Sequence, residues 1–280
     1  MRARSKAPRR AADLLARVVS CVGAILGIAV LGWILWEVVN RGASVLSWSF
    51  FTDLPGPPAS DRGGLAHAML GSLLMTGVAT LIGVPLGLLA GVFMAEVGRG
   101  GRFSATVRFV ASVLMGIPSI IIGLFVYAVL VVPLRHFSGW AGAVALALLM
   151  VPIVARTTED MLVLVPNALR EAALALGAPR WRVTRDVVLR AARAGTVTGV
   201  LLALARVGGE TAPLLFTALG SSYWPKLSQP TASLTVSIFN YAMSPYAGWQ
   251  RAAWGASLVI TVAVLLVAVL ARWSVRERKP

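Results

Sequence analysis

Six stretches of the chain are uncharged or nearly so: 18–36, 69–95, 109–132, 138–155, 195–219 and 252–271. A hydrocarbon core about 30 Å thick takes roughly 20 residues of helix at about 1.5 Å each, so the runs predict six transmembrane helices. The fourth is short, and the fifth contains two charges. The first outlasts the apolar core of a secretory signal, about 7–15 residues, and shows no convincing small-x-small cleavage site, so it reads as a retained anchor.

Composition agrees: 58% hydrophobic and 13% charged residues in 280 excludes a soluble globule and makes the bilayer the solvent. The net charge of +15 is topological. With the N-terminus inside, the inner segments 1–17, 96–108, 156–194 and 272–280 hold six, three, seven and four of the 26 Lys and Arg residues. The outer segments hold Arg41, Arg62, Arg135, Lys226 and Arg251, and Arg206 falls within a span. Because cytoplasmic flanks collect basic residues, both termini are expected in the cytoplasm. Bases scattered in this way describe no nucleic-acid surface. The outer segments carry Trp48, Trp140, Tyr223, Trp224, Tyr241, Tyr246, Trp249 and Trp254, as an interfacial aromatic belt requires. Irregular loops are expected at 53–61 and 221–230, with a short interfacial helix at 231–242. Cys21, the single cysteine, permits no internal disulfide.

The longest inner segment, 156–194, is composed like a helical hairpin. Pro166 suits a helix's first turn, strong helix formers fill 167–176, and Gly177-Ala178-Pro179 stops the ladder before a second helix at 181–192. Glu171-Ala172-Ala173, then Gly177, Val187 and Leu189, resembles the EAA loop of binding-protein-dependent ABC importer permeases. That resemblance implies a coupling helix seated on a cytoplasmic ATPase subunit; Arg190 stands where the family usually has proline. The competing reading is a basic hairpin held on anionic lipid by Arg170, Arg180, Arg182, Arg185, Arg190 and Arg193.

In the fifth span Arg206 lies about 16 Å along the helix from Gly195, near mid-bilayer, and Glu210 follows one turn later. Intramembrane charges default to a functional site, and the i,i+4 spacing lets these two pair. Gly208, Gly209 and Pro213 beside them predict a hinge. The segment LLALARVGGETAPLLFTALG, Leu201 to Gly220, closely resembles the permease A subunits of phosphate-specific ABC importers. Gly63-Gly64-Leu65, Gly71-Ser72, Pro85-Leu86-Gly87, GIPSIIIGLF at 116–125 and IFNYAMSPY at 238–246 agree, so the likeness covers roughly residues 63–256. It implies a six-span, all-α MetI-like permease fold that needs no cofactor. The implied division is residues 1–62, with tail, first span and external loop, and a core at 63–275 carrying the hairpin. The implied partners are a homologous permease C subunit in a heterodimer, two ATP-binding subunits inside, and an extracytoplasmic phosphate-binding protein, with Arg206 and Glu210 associated with the transport path. Structural packing is the competing role for that pair.

Other classes fare worse. A permease for sulfate, molybdate or a polyamine shares the architecture. A secondary transporter wants matched broken helices in two halves, and one span alone reads as strongly interrupted. No HExxH, nucleophile–base pair or Walker A sequence is present, so an enzyme or an ATP-binding chain is not expected. Pro118 and Ser119 read as ordinary packing, His67 and His136 as unconnected, and Glu37 and Glu96 as solvated span ends. The expected mechanism sends the pull of the ATPase from the hairpin to the fifth span through Gly195.

Overall fold

A computed structural model describes residues 7–57, 63–98 and 100–275. The basic ends at 1–6 and 276–280, the far part of the 53–61 loop with Arg62, and Arg99 lie outside the described residues. Every regular element of the described chain is a helix: α1 Ala7–Ala43, α2 Trp48–Thr52, α3 Ala66–Val92, α4 Arg102–Gly116, α5 Ser119–Val126, α6 Val132–Leu134 and α7 Gly139–Val163, followed by α8 Asn167–Ala175, α9 Arg180–Arg182, α10 Leu189–Gly208, α11 Ala212–Thr217, α12 Leu234–Ala242 and α13 Ala247–Val275. π-Helical turns continue α3 at Phe93–Val97, join α5 to α6 at Tyr127–Val131, and join α9 to α10 at Val183–Val188.

Five helices are long and apolar enough to cross a bilayer, and a sixth span is made of two pieces, Arg102–Gly116 and Ser119–Leu134, set at 104°. Two of the predicted spans therefore take another form. The third turns sharply at Ile117–Pro118, because proline cannot donate to the preceding turn and pushes its neighbour out of the helical region. The fifth is the far end of one helix, Arg180–Gly208, that begins inside the hairpin. Gly195 sits within that helix, with Met161 in the space a side chain would take.

The core forms where α3 crosses α7, with α10 against both. On α3 the residues facing inward recur every fourth position, Gly71, Met75, Ala79, Gly83, Gly87 and Gly91, and all are buried. Lipid offers no hydrophobic gain for joining two spans, so small residues that let backbones approach supply the contact. The approach is close: a Cβ on Gly87 would lie 2.6 Å from that of Val154, and one on Gly91 2.6 Å from that of Thr158. At one end, Phe50, Leu65, Ala68, Leu234 and Ala256 form a second cluster, where the Leu234 amide donates to Ser72 Oγ at 2.7 Å. Beside it burial pushes the Tyr241 phenol above its ordinary pKa, and its ring stacks on Trp249 at 4.7 Å. The other end carries the hairpin. Helix α1 packs on α13, where Gly42 meets Leu258 and the Trp254 carbonyl, and its residues 13–34 are exposed, Cys21 included.

Candidate functional site

Helix α10 ends where two glycines follow Arg206-Val207. The Gly209 amide donates to Arg206 O at 3.2 Å and that of Glu210 to Val207 O at 3.1 Å, closing the helix with a tight turn. Pro213 then occupies the first turn of α11, where its missing N–H costs nothing, and Leu214 and Leu215 donate to Thr211 O. The Glu210 carbonyl accepts from Thr235 Oγ1 of α12 at 2.9 Å. Gly208, Gly209 and Pro213, where a hinge is expected, thus lie at a break between two helices, not at a kink within one. This overturns the i,i+4 pairing: Glu210 stands beyond the helix end, and no ion pair joins it to Arg206.

Both side chains instead border a cleft of about 410 Å³ that the broken third span opens. Leu114 to Ser119 form one wall and Leu149 and Ile153 of α7 another; among the described lining residues Arg206 and Glu210 carry the charge. Arg206 is exposed and Glu210 half-buried. A guanidinium fork beside a carboxylate, framed by apolar walls and the start of α5, can offer directed donors to an oxyanion while limiting how tightly it is held. Pro118 and Ser119, expected to serve plain packing, belong to this cleft. The two interrupted spans also touch, since α11 packs on α5.

In the hairpin, α8 is stopped by Gly177 at φ +82°, whose amide donates to Leu174 O at 2.9 Å while that of Ala178 reaches Ala173 O at 3.2 Å. This is a Schellman ending, with Pro179 following as the stop. Glu171, Ala172 and Gly177 face outward, whereas Ala173 and Leu189 turn toward the apolar cluster beneath. Leu176, 89% exposed, and Trp181, 58%, add apolar surface at the tip that sequence reasoning missed. Two expectations are corrected here. Arg170 is no lipid-facing base but is 7% exposed, and Glu96 is no solvated span end: Arg170 Nη2 donates to Glu96 Oε1 at 2.8 Å. A second buried carboxylate, Glu159 of α7, accepts from Arg108 Nε of α4 at 2.7 Å and Arg156 Nη1 at 3.1 Å. Such pairs, 74 and 51 residues apart, leave no periodic signal. His67 is buried and His136 exposed, and no group of three metal-ligating side chains occurs among the described residues.

Residues 83–277 match the family model described as binding-protein-dependent transport system inner membrane component. The chain belongs to that family. As a permease of this kind it is a multi-pass inner-membrane protein and a transporter component, not an enzyme. The permease is 48% identical to the phosphate transport system permease protein PstA of Yersinia pestis over 279 residues, 99% of this chain and 95% of that one. It is 48% identical to the protein of the same name from Haemophilus influenzae, covering 93% and 92%. A probable phosphate permease of Methanocaldococcus jannaschii is 36% identical, covering 91% and 92%. Among solved structures, an inward-facing MetNI methionine ABC transporter superposes with TM-score 0.63 at 23% identity, over 76% of the permease and 94% of that chain. A bacterial alginate ABC transporter in complex with a pentasaccharide-bound periplasmic protein gives 0.65 at 15%, over 97% and 96%. These structures establish the all-helical ABC permease fold.

Proposed function

We propose that the permease forms half of the transmembrane path of an ATP-driven ABC importer for inorganic phosphate. Near-full-length identity of 48% to a permease named for phosphate transport carries the reading. In it, both termini and the hairpin face the cytoplasm, as the distribution of Lys and Arg favours. A homologous C subunit supplies the other half, one of two ATP-binding subunits meets the outward-facing Glu171, Ala172 and Gly177 of this hairpin, and an extracytoplasmic binding protein delivers phosphate. Residues 1–62 supply the cytoplasmic tail, first span and external loop, and residues 63–275 the permease core with the hairpin.

Chemically, Arg206 offers its fork to a passing phosphate, and Glu210 beside it keeps the anion from being trapped. The break at Gly208, Gly209 and Pro213 lets the two groups shift relative to each other as access alternates. The cleft would also accept sulfate, so the substrate is tested directly. Reconstituted with its partners in vesicles, the complex is expected to accumulate phosphate in preference to sulfate, and Arg206→Ala to lower phosphate uptake at least roughly tenfold, the loss of a charge-assisted contact worth about 1.5–3 kcal/mol. Equal sulfate uptake would remove the substrate assignment; undiminished phosphate uptake by the correctly assembled variant would remove the role of Arg206.

A further inference from the structure

An arginine on a nine-residue surface helix would ordinarily lie in water, yet Arg170 is turned inward and every arm of its guanidinium is used. Nη2 donates to Glu96 Oε1 and to Leu162 O, each at 2.8 Å; Nη1 donates to Val165 O and, at 3.4 Å, to Asn167 Oδ1; Nε reaches Glu96 Oε1 at 3.3 Å. Leu162 O belongs to the last turn of α7, where it also accepts from the Val165 amide at 3.2 Å, and Val165 O lies just past it. Glu96 belongs to the π-helical turn that ends α3. One side chain of α8 therefore joins the ends of the second and fourth spans. Beneath it Ala95, Leu162, Val165, Val183, Val188 and Ala192 close an apolar cluster shared by the same segments.

We infer that the Arg170–Glu96 pair is a positioning link that makes the end of α3 move with the hairpin, so that the ATPase stroke reaches the second span as directly as it reaches α10. The inference rests on the docking role of the hairpin proposed above. Its physical basis is that a buried ion pair whose arginine has every donor arm engaged is fixed in geometry and costly to break from one side. Since α3 is locked to α7 along its glycine track, the hairpin, α3, α7 and the helix leading into α10 then move together, and the change of shape falls on the interruptions at 117–118 and 209–211.

The test uses the assembled transporter with Cys21→Ser and spin labels at Val97→Cys and Ala168→Cys, both exposed and beside the pair. The distance between labels is expected to stay the same with and without ATP, and to shift or broaden with ATP once Glu96→Gln is added. Glu96→Gln is further expected to retain ATPase assembly and hydrolysis while the phosphate carried per ATP hydrolysed falls roughly fivefold or more, the lower end of ordinary coupling between sites. A label distance that changes with ATP in the parent, or an unchanged ratio of phosphate to ATP in Glu96→Gln, overturns the link. A purely structural role would lower assembly and leave that ratio intact. Should Glu96→Gln fail to assemble, the parent's label distance still decides. A parent complex that moves no phosphate refutes the substrate reading instead, and the label distance judges the link independently.

Discussion

Gly123 of α5 lies against Pro213 of α11 so closely that a Cβ at position 123 would come within 2.6 Å of the proline Cα. The contact binds the broken third span to the broken fifth one, immediately beside the cleft that holds Arg206 and Glu210. Backbone faces backbone there, so no flexible side chain can yield to an added atom.

Gly123→Ala is therefore expected to destabilise the permease by about 1–3 kcal/mol, as overpacking does, and to displace α11 from the cleft. A thermal-unfolding series in detergent, read beside uptake in vesicles, checks this. Unchanged melting and uptake together would mean that the two spans separate freely.

The α3–α7 seam makes a stronger demand. Gly87→Leu places a branched side chain where Val154 already stands, so the two helices have to part along their length. The expected result is loss of most folded, monodisperse protein on size exclusion. Leu86→Ala, at an exposed position one residue away, is the control and should leave yield near normal.

Gly177 tests the hairpin by a different mechanism. Its surroundings are open, with nothing within 4 Å of an added Cβ, but its φ of +82° suits residues without a side chain. Gly177→Ala should cost about 1–2 kcal/mol of local conformational energy, distorting the Schellman ending while the spans stand. Co-purification with the ATP-binding subunit should weaken, and melting of the membrane core should not move. Full retention of the ATP-binding subunit would argue that the tip is not a docking element.

The spans were readable because their chemistry is one-dimensional: an apolar run long enough to cross lipid has few other fates. What the runs concealed was continuity. Proline at 118 is equally compatible with a gentle kink and with the 104° turn observed, because its local sequence does not say whether neighbouring helices will satisfy the freed backbone. At Gly208-Gly209 the helix stops. The inferred Arg206–Glu210 pairing failed because it required the helix to continue past that point. The four-residue recurrence from Gly71 to Gly91 was visible in the letters as well, although its partner on α7 is defined by tertiary packing. Arg170 and Glu96 were beyond reach: in sequence each is an ordinary charge at the margin of a span, and their meeting depends on how the hairpin folds back. The outward face of the hairpin, proposed above to dock the ATP-binding subunit, carries the Glu-Ala-Ala motif and Gly177, which the sequence singles out, and also Leu176 and Trp181, which read there like any other apolar residues of an amphipathic helix.

The run of small residues on α3 also determines where the molecule is stiff. Side chains that interdigitate can slide by changing rotamer, but main chains pressed together have no such slack. In the proposed cycle the second and fourth spans thus act as one spar, and two jointed struts, folded over one another at Gly123 and Pro213, supply the travel.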